Sequence, residues 1–321
     1  MTVTLSSAMP AASKADDRPA AGSMASGPTA KAAPTRRARD HRVDALRGIA
    51  LLMMFVDHMP QDLLNRLTIR NLGFADAAEI FVLLAGYASW LAYGRGFSKY
   101  GTGETLRRIA ARCGKLYVAQ TLMLISSVVI IRTWRTFTPV PVDFLEPELA
   151  HGLENFWRVF LLDALPSNLN ILPLYMVLLG VFPLMYVLIR VNRFVALGLS
   201  AALWLLINLD PTVNFPNWLD PDGWYFDPLA WQFLFMLGAC GAIEAEKRGG
   251  NLPSFPWLKI GCCCYLFFSL FEAFPWGQWG LPAFRPFDLT SPSKSTLAPL
   301  RLLDVLSIFY IVQSSTLART F

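Results

Sequence analysis

The chain has 321 residues, of which 54% are hydrophobic and 16% charged, and its mean hydropathy is +0.41. A soluble domain carries about 25% charged residues, so this composition excludes an ordinary soluble globule and points to a polytopic membrane protein. The formal charge of +5 comes mostly from Lys and Arg beside apolar runs, which reads as membrane topology rather than as a nucleic-acid footprint.

Residues 1–39 are rich in Ala, Ser, Pro and charge and lack apolar periodicity, so they are expected to form a disordered cytoplasmic segment. The cluster Arg36, Arg37, Arg39 and Arg42 resembles the basic start of a signal peptide. No small-residue cleavage site follows it, so an uncleaved first span with a cytoplasmic N-terminus is expected. Residues 40–321 then read as one membrane-embedded domain.

A span needs about twenty apolar residues. That requirement predicts spans near 43–60, 76–95, 111–131, 170–190, 194–210, 228–246, 257–275 and 298–317. The fold class is therefore an all-α, polytopic transmembrane helix bundle of about eight spans. The short fifth span ends in Asp210-Pro211, and its junction with the fourth at Arg190-Val191-Asn192-Arg193 predicts a tight helical hairpin. Threaded from a cytoplasmic N-terminus, the cytoplasmic connections hold more Lys and Arg than the longer outer ones, as the positive-inside rule requires.

The outer loops carry further signals. GLENFWRVFLLDAL at 152–165 has helical apolar spacing and is expected to lie on the outer membrane surface. NFPNWLDPDGWYFDP mixes aromatics with Asp and Asn. An interfacial aromatic belt explains it more simply than sugar binding, although ring faces and carboxylates also suit a carbohydrate. Cys113, Cys240, Cys262, Cys263 and Cys264 show no metal spacing and read as packing residues; no metal is expected.

The first span contains RGIALLMMFVDH at 47–58. Eleven residues separate Arg47 from His58, close to three turns, so both project from one face roughly 16 Å apart. Asp44 and Asp57 stand on the same span. Snorkelling of Arg47 and a headgroup position for Asp57-His58 are the plain alternatives. The second span opens with FADAAEIF, which places Asp76 and Glu79 on one face at the outer end, beside His58. A helix N-terminus favours acids there in any case, which accounts for Asp76 more easily than for Glu79. Gln232 in DPLAWQ and Arg301 in LAPLRLLD sit within apolar sequence and are expected to face the bundle interior.

Arg47, ten residues and then His58 resemble the R-x10-H signature of the acyltransferase-3 membrane enzymes. More closely, HRVDALRGIALLMMFVDHMP, TIRNLGFADAAEIFVLLAGYASW, LPLYMVLL, DPLAWQFLFMLG and LAPLRLL, in that order, resemble the OpgC family across residues 40–310. Members of that family are associated with succinylation of osmoregulated periplasmic glucans. They continue past the LAPLRLL span with at least one further helix, so a chain ending at Phe321 is expected to lack C-terminal helices or to diverge there.

The resemblance implies an O-acyltransferase of the bacterial inner membrane that carries succinyl from succinyl-CoA, taken from the cytoplasm, to glucan hydroxyls on the periplasmic side. Acyl-CoA is a substrate here, with no bound cofactor; membrane lipid surrounds the bundle, and no nucleic acid is involved. The chemistry expected is proton removal by His58, with Asp57, Asp76 or Glu79 about the imidazole and Arg47 on an anionic part of the donor. Asp44, Arg70, Gln232 and Arg301 complete the expected substrate-binding set. Covalent acyl-His catalysis remains open beside direct transfer. So do an O-acetyltransferase of another surface polysaccharide and a transporter of an anionic sugar or lipid intermediate, which can also use intramembrane ionisable groups.

Overall fold

The structure is a computed structural model that describes residues 41–59, 63–137, 157–163, 165–166 and 169–315. Among these, every regular element is a helix. They are α1 (His41–Asp57), α2 (Ala77–Ser89), α3 (Arg95–Tyr100), α4 (Thr102–Phe137), α5 (Trp157–Phe160), α6 (Ile171–Leu209), α7 (Pro228–Lys247), α8 (Pro256–Ala273) and α9 (Pro299–Ser314). The all-α expectation holds. The N-terminal segment 1–39, His151 and residues 152–156 of the surface segment lie outside the described residues, and Trp157–Phe160 is the helical part of the remainder.

Local chemistry explains the helix starts. Proline opens α7, α8 and α9, where its missing N–H removes a donor that would be unpaired anyway. Asp227 caps α7 by accepting from Leu229 N at 2.8 Å. α2 runs through a π-helical turn, Trp90–Gly94, into α3, and Gly101 at φ +81° ends that run before α4.

The expected hairpin is present inside α6. Asn192 leaves helical geometry at φ −158° and ψ 114°, and its Oδ1 caps the second arm through Phe194 N (2.9 Å) and Val195 N (3.3 Å). The first arm runs from Ile171, which lines one cavity with Arg301 of α9, to Arg190, which lines another with Glu246 of α7, and long-range bonds fix the direction of the second. Arg193 meets Glu244 near the end of α7, whereas Asn208 Nδ2 returns to donate to Thr296 O near the start of α9. The two arms are therefore antiparallel.

At the centre, α2 and α7 approach backbone to backbone. A Cβ added to Gly86 would stand 2.0 Å from Phe235 O, and one added to Gly238 would stand 2.0 Å from Leu83 O. Glycine at both positions permits that contact. Around it Leu83, Leu84, Phe182, Trp231 and Phe235 are fully buried.

Four helical runs among the described residues are long and apolar enough to cross a membrane: Ala77–Tyr100, Thr102–Phe137, Ile171–Leu209 and Pro228–Lys247. The expectation of about eight spans is met in part. Helices stand at all eight positions, and the Ile171–Leu209 run folds back on itself, but eight crossings are not shown. α1 and α9 have 17 and 16 residues, about 25 Å at 1.5 Å per residue, against a hydrocarbon core of about 30 Å. α4 also begins nine residues before the expected 111, so the apolar run marks only its middle.

Candidate functional site

A cavity of about 750 Å³ opens at the end of the bundle where α1 ends and α2, α6 and α9 begin. His58, Asp57 and Met54 reach it from α1, Arg70 and Asp76 from the segment before α2, and Arg301 from α9. Glu272, Arg285 and Lys294 come from the end of α8 and the loop after it, and Asn217, Asp220 and Tyr225 from the loop before α7.

His58 stands just past the last turn of α1, with Nδ1 at 2.6 Å from Met54 O. A carbonyl oxygen only accepts, so this bond places the proton of the neutral ring on Nδ1 and leaves the lone pair on Nε2. The neighbouring Asp57 turns elsewhere. Its Oδ1 accepts from Thr68 Oγ1 at 2.5 Å, and its backbone carbonyl accepts from Asn65 Nδ2 at 3.4 Å. Thr68 N donates to Asn65 O at 3.1 Å. Asp57 thereby fastens the two 3-10 turns of 63–71 to the end of α1.

Asp76 and Glu79 form a capping box at the start of α2. Asp76 Oδ1 accepts from Ala78 N (2.8 Å), and Glu79 Oε2 accepts from Asp76 N (3.0 Å). Both acids also meet cations. Arg301 Nε donates to Glu79 Oε1 at 2.6 Å, Arg301 Nη2 stands 3.5 Å from Asp76 Oδ2, and Lys294 Nζ pairs with that same oxygen. Lys294 also lies over the Phe226 ring at 5.3 Å. One turn beyond Arg301, Asp304 Oδ2 accepts from Ala75 N at 2.8 Å, and Ser269 Oγ accepts from Phe74 N at 3.0 Å. A Cβ on Gly73 would fall 2.4 Å from Asp304 Oδ2, so glycine lets the chain reach this grip.

The opposite wall is held as tightly. Glu272, buried, accepts from Phe287 N (2.7 Å) and Leu289 N (3.2 Å), which fixes the loop carrying Arg285. Asn217 bonds both N and O of Leu165, which joins two loops at the cavity rim. Arg70 and Arg285 are exposed to the cavity and have no hydrogen-bond or ion-pair partner among the described residues. The acids of the wall are engaged while these two guanidinium groups are not, an arrangement suited to an anionic ligand.

Outside the apolar helices, Asp227 behaves distinctively. Its Oδ2 is buried with no partner among the described residues. Burial pushes its carboxyl up to about 6, offset only in part by the hydrogen bond from Leu229 N.

Of the residues expected at the site, His58, Asp57, Asp76, Arg70 and Arg301 share the cavity. Glu79 stands behind its wall, fully buried, and contacts Asp76 and Arg301 rather than His58. Asp57 and Glu79 were the expected orienting groups, and the Met54 carbonyl occupies that place. Gln232 lies away from the cavity in a clamp between helices, accepting from Ser200 Oγ at 2.5 Å and donating to Ser200 O at 2.8 Å. Asp44 and Arg47 lie lower on α1, also away from it. Thr68, Glu272, Arg285, Lys294 and Asp304 were not anticipated. Only Glu272 and Asp304 had a readable signal, an acid within an apolar run.

Among the described residues no group of three His, Cys, Asp or Glu is placed to hold a metal. The sequence matches the family model described as OpgC protein over residues 39–320. No curated protein and no solved structure matches the chain.

Proposed function

The chain belongs to the OpgC family, and on that premise we propose that it is a membrane O-acyltransferase that carries succinyl from succinyl-CoA to glucose hydroxyls of periplasmic glucans, with His58 as general base. The observation that carries this reading is His58 at the cavity with Nδ1 committed to Met54 O. That commitment makes Nε2 the proton acceptor.

The reaction follows in one balanced step. A sugar hydroxyl oxygen bonds to the thioester carbonyl carbon while Nε2 removes its proton. The carbon–sulfur bond breaks, and the departing sulfur takes that proton from the imidazolium. The products are a sugar ester and a free thiol. Arg70 and Arg285 receive the free carboxylate of the succinyl group, and Arg301 and Lys294 hold Asp76 and the start of α2 in place beside it. Arg47, Leu51, Met54 and His58 follow one stripe of α1 at helical spacing, which gives the acyl arm a path from a cytoplasmic end to the cavity. In this reading the protein sits in the inner membrane with its N-terminus cytoplasmic.

The test is chemical. Glucans from cells expressing the intact chain should carry a succinyl-sized ester by mass spectrometry, absent from cells without it. An acetyl-sized addition instead would move the reading to an O-acetyltransferase, and transfer of an unmodified solute would move it to a transporter.

A further inference from the structure

A second pocket of about 340 Å³ lies at the opposite end of the bundle. It is lined by Trp90, Gly94, Arg95, Ser98, Lys99, Tyr186, Arg190 and Glu246. Nineteen residues separate Asp76 from Arg95, about 28 Å of helix, so this pocket is distinct from the His58 cavity.

Its construction goes beyond a few basic residues at a membrane boundary. The π-helical turn Trp90–Gly94 forms one wall, and such turns recur at functional sites. Trp90 and Tyr186 present adjoining rings at 5.6 Å, and Phe97 stacks behind Tyr186 at 4.3 Å. Glu246 takes the indole Nε1–H of Trp90 at 3.0 Å and also pairs with Arg95, which fixes an aromatic ring and a guanidinium relative to each other. Lys99 and Arg190 are exposed at the rim, and Arg190 has no hydrogen-bond or ion-pair partner among the described residues. Arg42 Nη2 donates to Gly250 O, four residues past Glu246, so the lower end of α1 belongs to the same end of the bundle.

Two adjoining aromatic rings, inclined at 35° to each other, beside several cations match a ligand with a planar base and phosphate groups. We propose that this pocket binds the nucleotide end of the thioester donor, the base against Trp90 and Tyr186 and the phosphates on Arg190, Lys99 and Arg95. This rests on the acyltransferase reading above, and it separates donor docking from the chemistry at His58.

The test compares two donors with the full-length protein in nanodiscs. One is succinyl-CoA and the other is succinyl-pantetheine, which keeps the thioester but lacks the nucleotide. For Lys99→Ala/Arg190→Ala, KM for succinyl-CoA should rise at least tenfold, the loss expected for a charge-assisted contact. KM for succinyl-pantetheine should change less than twofold, and Arg190→Lys should recover part of the loss. An equal rise for both donors overturns the proposal. A defect that appears only in discs of anionic lipid, and not in phosphatidylcholine, also overturns it and assigns the cations to lipid headgroups. If the unaltered protein esterifies glucan with neither donor, the acyltransferase reading fails. The pocket is then judged by direct binding of coenzyme A, which should weaken at least tenfold in the double variant; equal binding refutes it.

Discussion

Arg301 Nε on α9 lies 2.6 Å from Glu79 Oε1 on α2, both side chains buried, across 222 positions of sequence. The same carboxylate uses its other oxygen to cap Asp76 N. One acid therefore starts a helix and receives the cation that ties the last described helix to it. A buried ion pair adds little net stability, but breaking it leaves a bare charge.

Arg301→Ala should accordingly cost about 3–5 kcal/mol, read as a fall in Tm and in yield of the purified protein. Glu79→Gln/Arg301→Met removes both charges and should be milder than either single change. A double variant no better than the worse single one would show that the pair is not coupled.

The close crossing of α2 and α7 makes a second prediction. Gly86→Ala and Gly238→Ala place a methyl group against a backbone carbonyl, and each should destabilise by about 2–3 kcal/mol. Gly180, also helical, has nothing within 4 Å of a built Cβ. Gly180→Ala should be neutral or stabilising by up to about 1 kcal/mol, by propensity alone. Thermal unfolding of the three variants side by side decides it.

Asp227 gives a pH dependence. Its carboxyl in the folded protein sits near 6, above the ordinary value near 4 for an unfolded aspartate. A raised acid favours the folded state below its unfolded pKa, and that contribution is lost as pH rises through the folded one. Stability should therefore fall between about pH 4 and 6, by on the order of 2 kcal/mol from this group. Asp227→Asn keeps the cap oxygen and should flatten that part of the profile; an unchanged slope would contradict the assignment.

Much of the fold was legible because apolar runs and helix ends are local. The hairpin at Asn192 followed from two runs meeting at polar residues, and the Pro-opened helices fall where the runs begin. The site was legible in part, since helical spacing tells which residues share a face but not which partner each meets. Asp57 and His58 are adjacent in sequence yet bond in different directions, to Thr68 and to Met54. The D-x-x-E spacing of Asp76 and Glu79 was itself a capping-box signature, which explains Glu79 without any contact to His58. Lys294 and Arg285 sit in an irregular loop, where no period says which side chain points into a cavity.

The role proposed for His58 is to take the proton from the acceptor sugar, and succinyl transfer by purified protein with and without His58→Ala tests it. Loss of the base should lower kcat by about 10²–10⁴-fold, the usual range for a general base, with Tm held because His58 is exposed at a helix end. A His58→Ala protein that is folded and keeps kcat within about threefold of the parent, well short of that range, would contradict it.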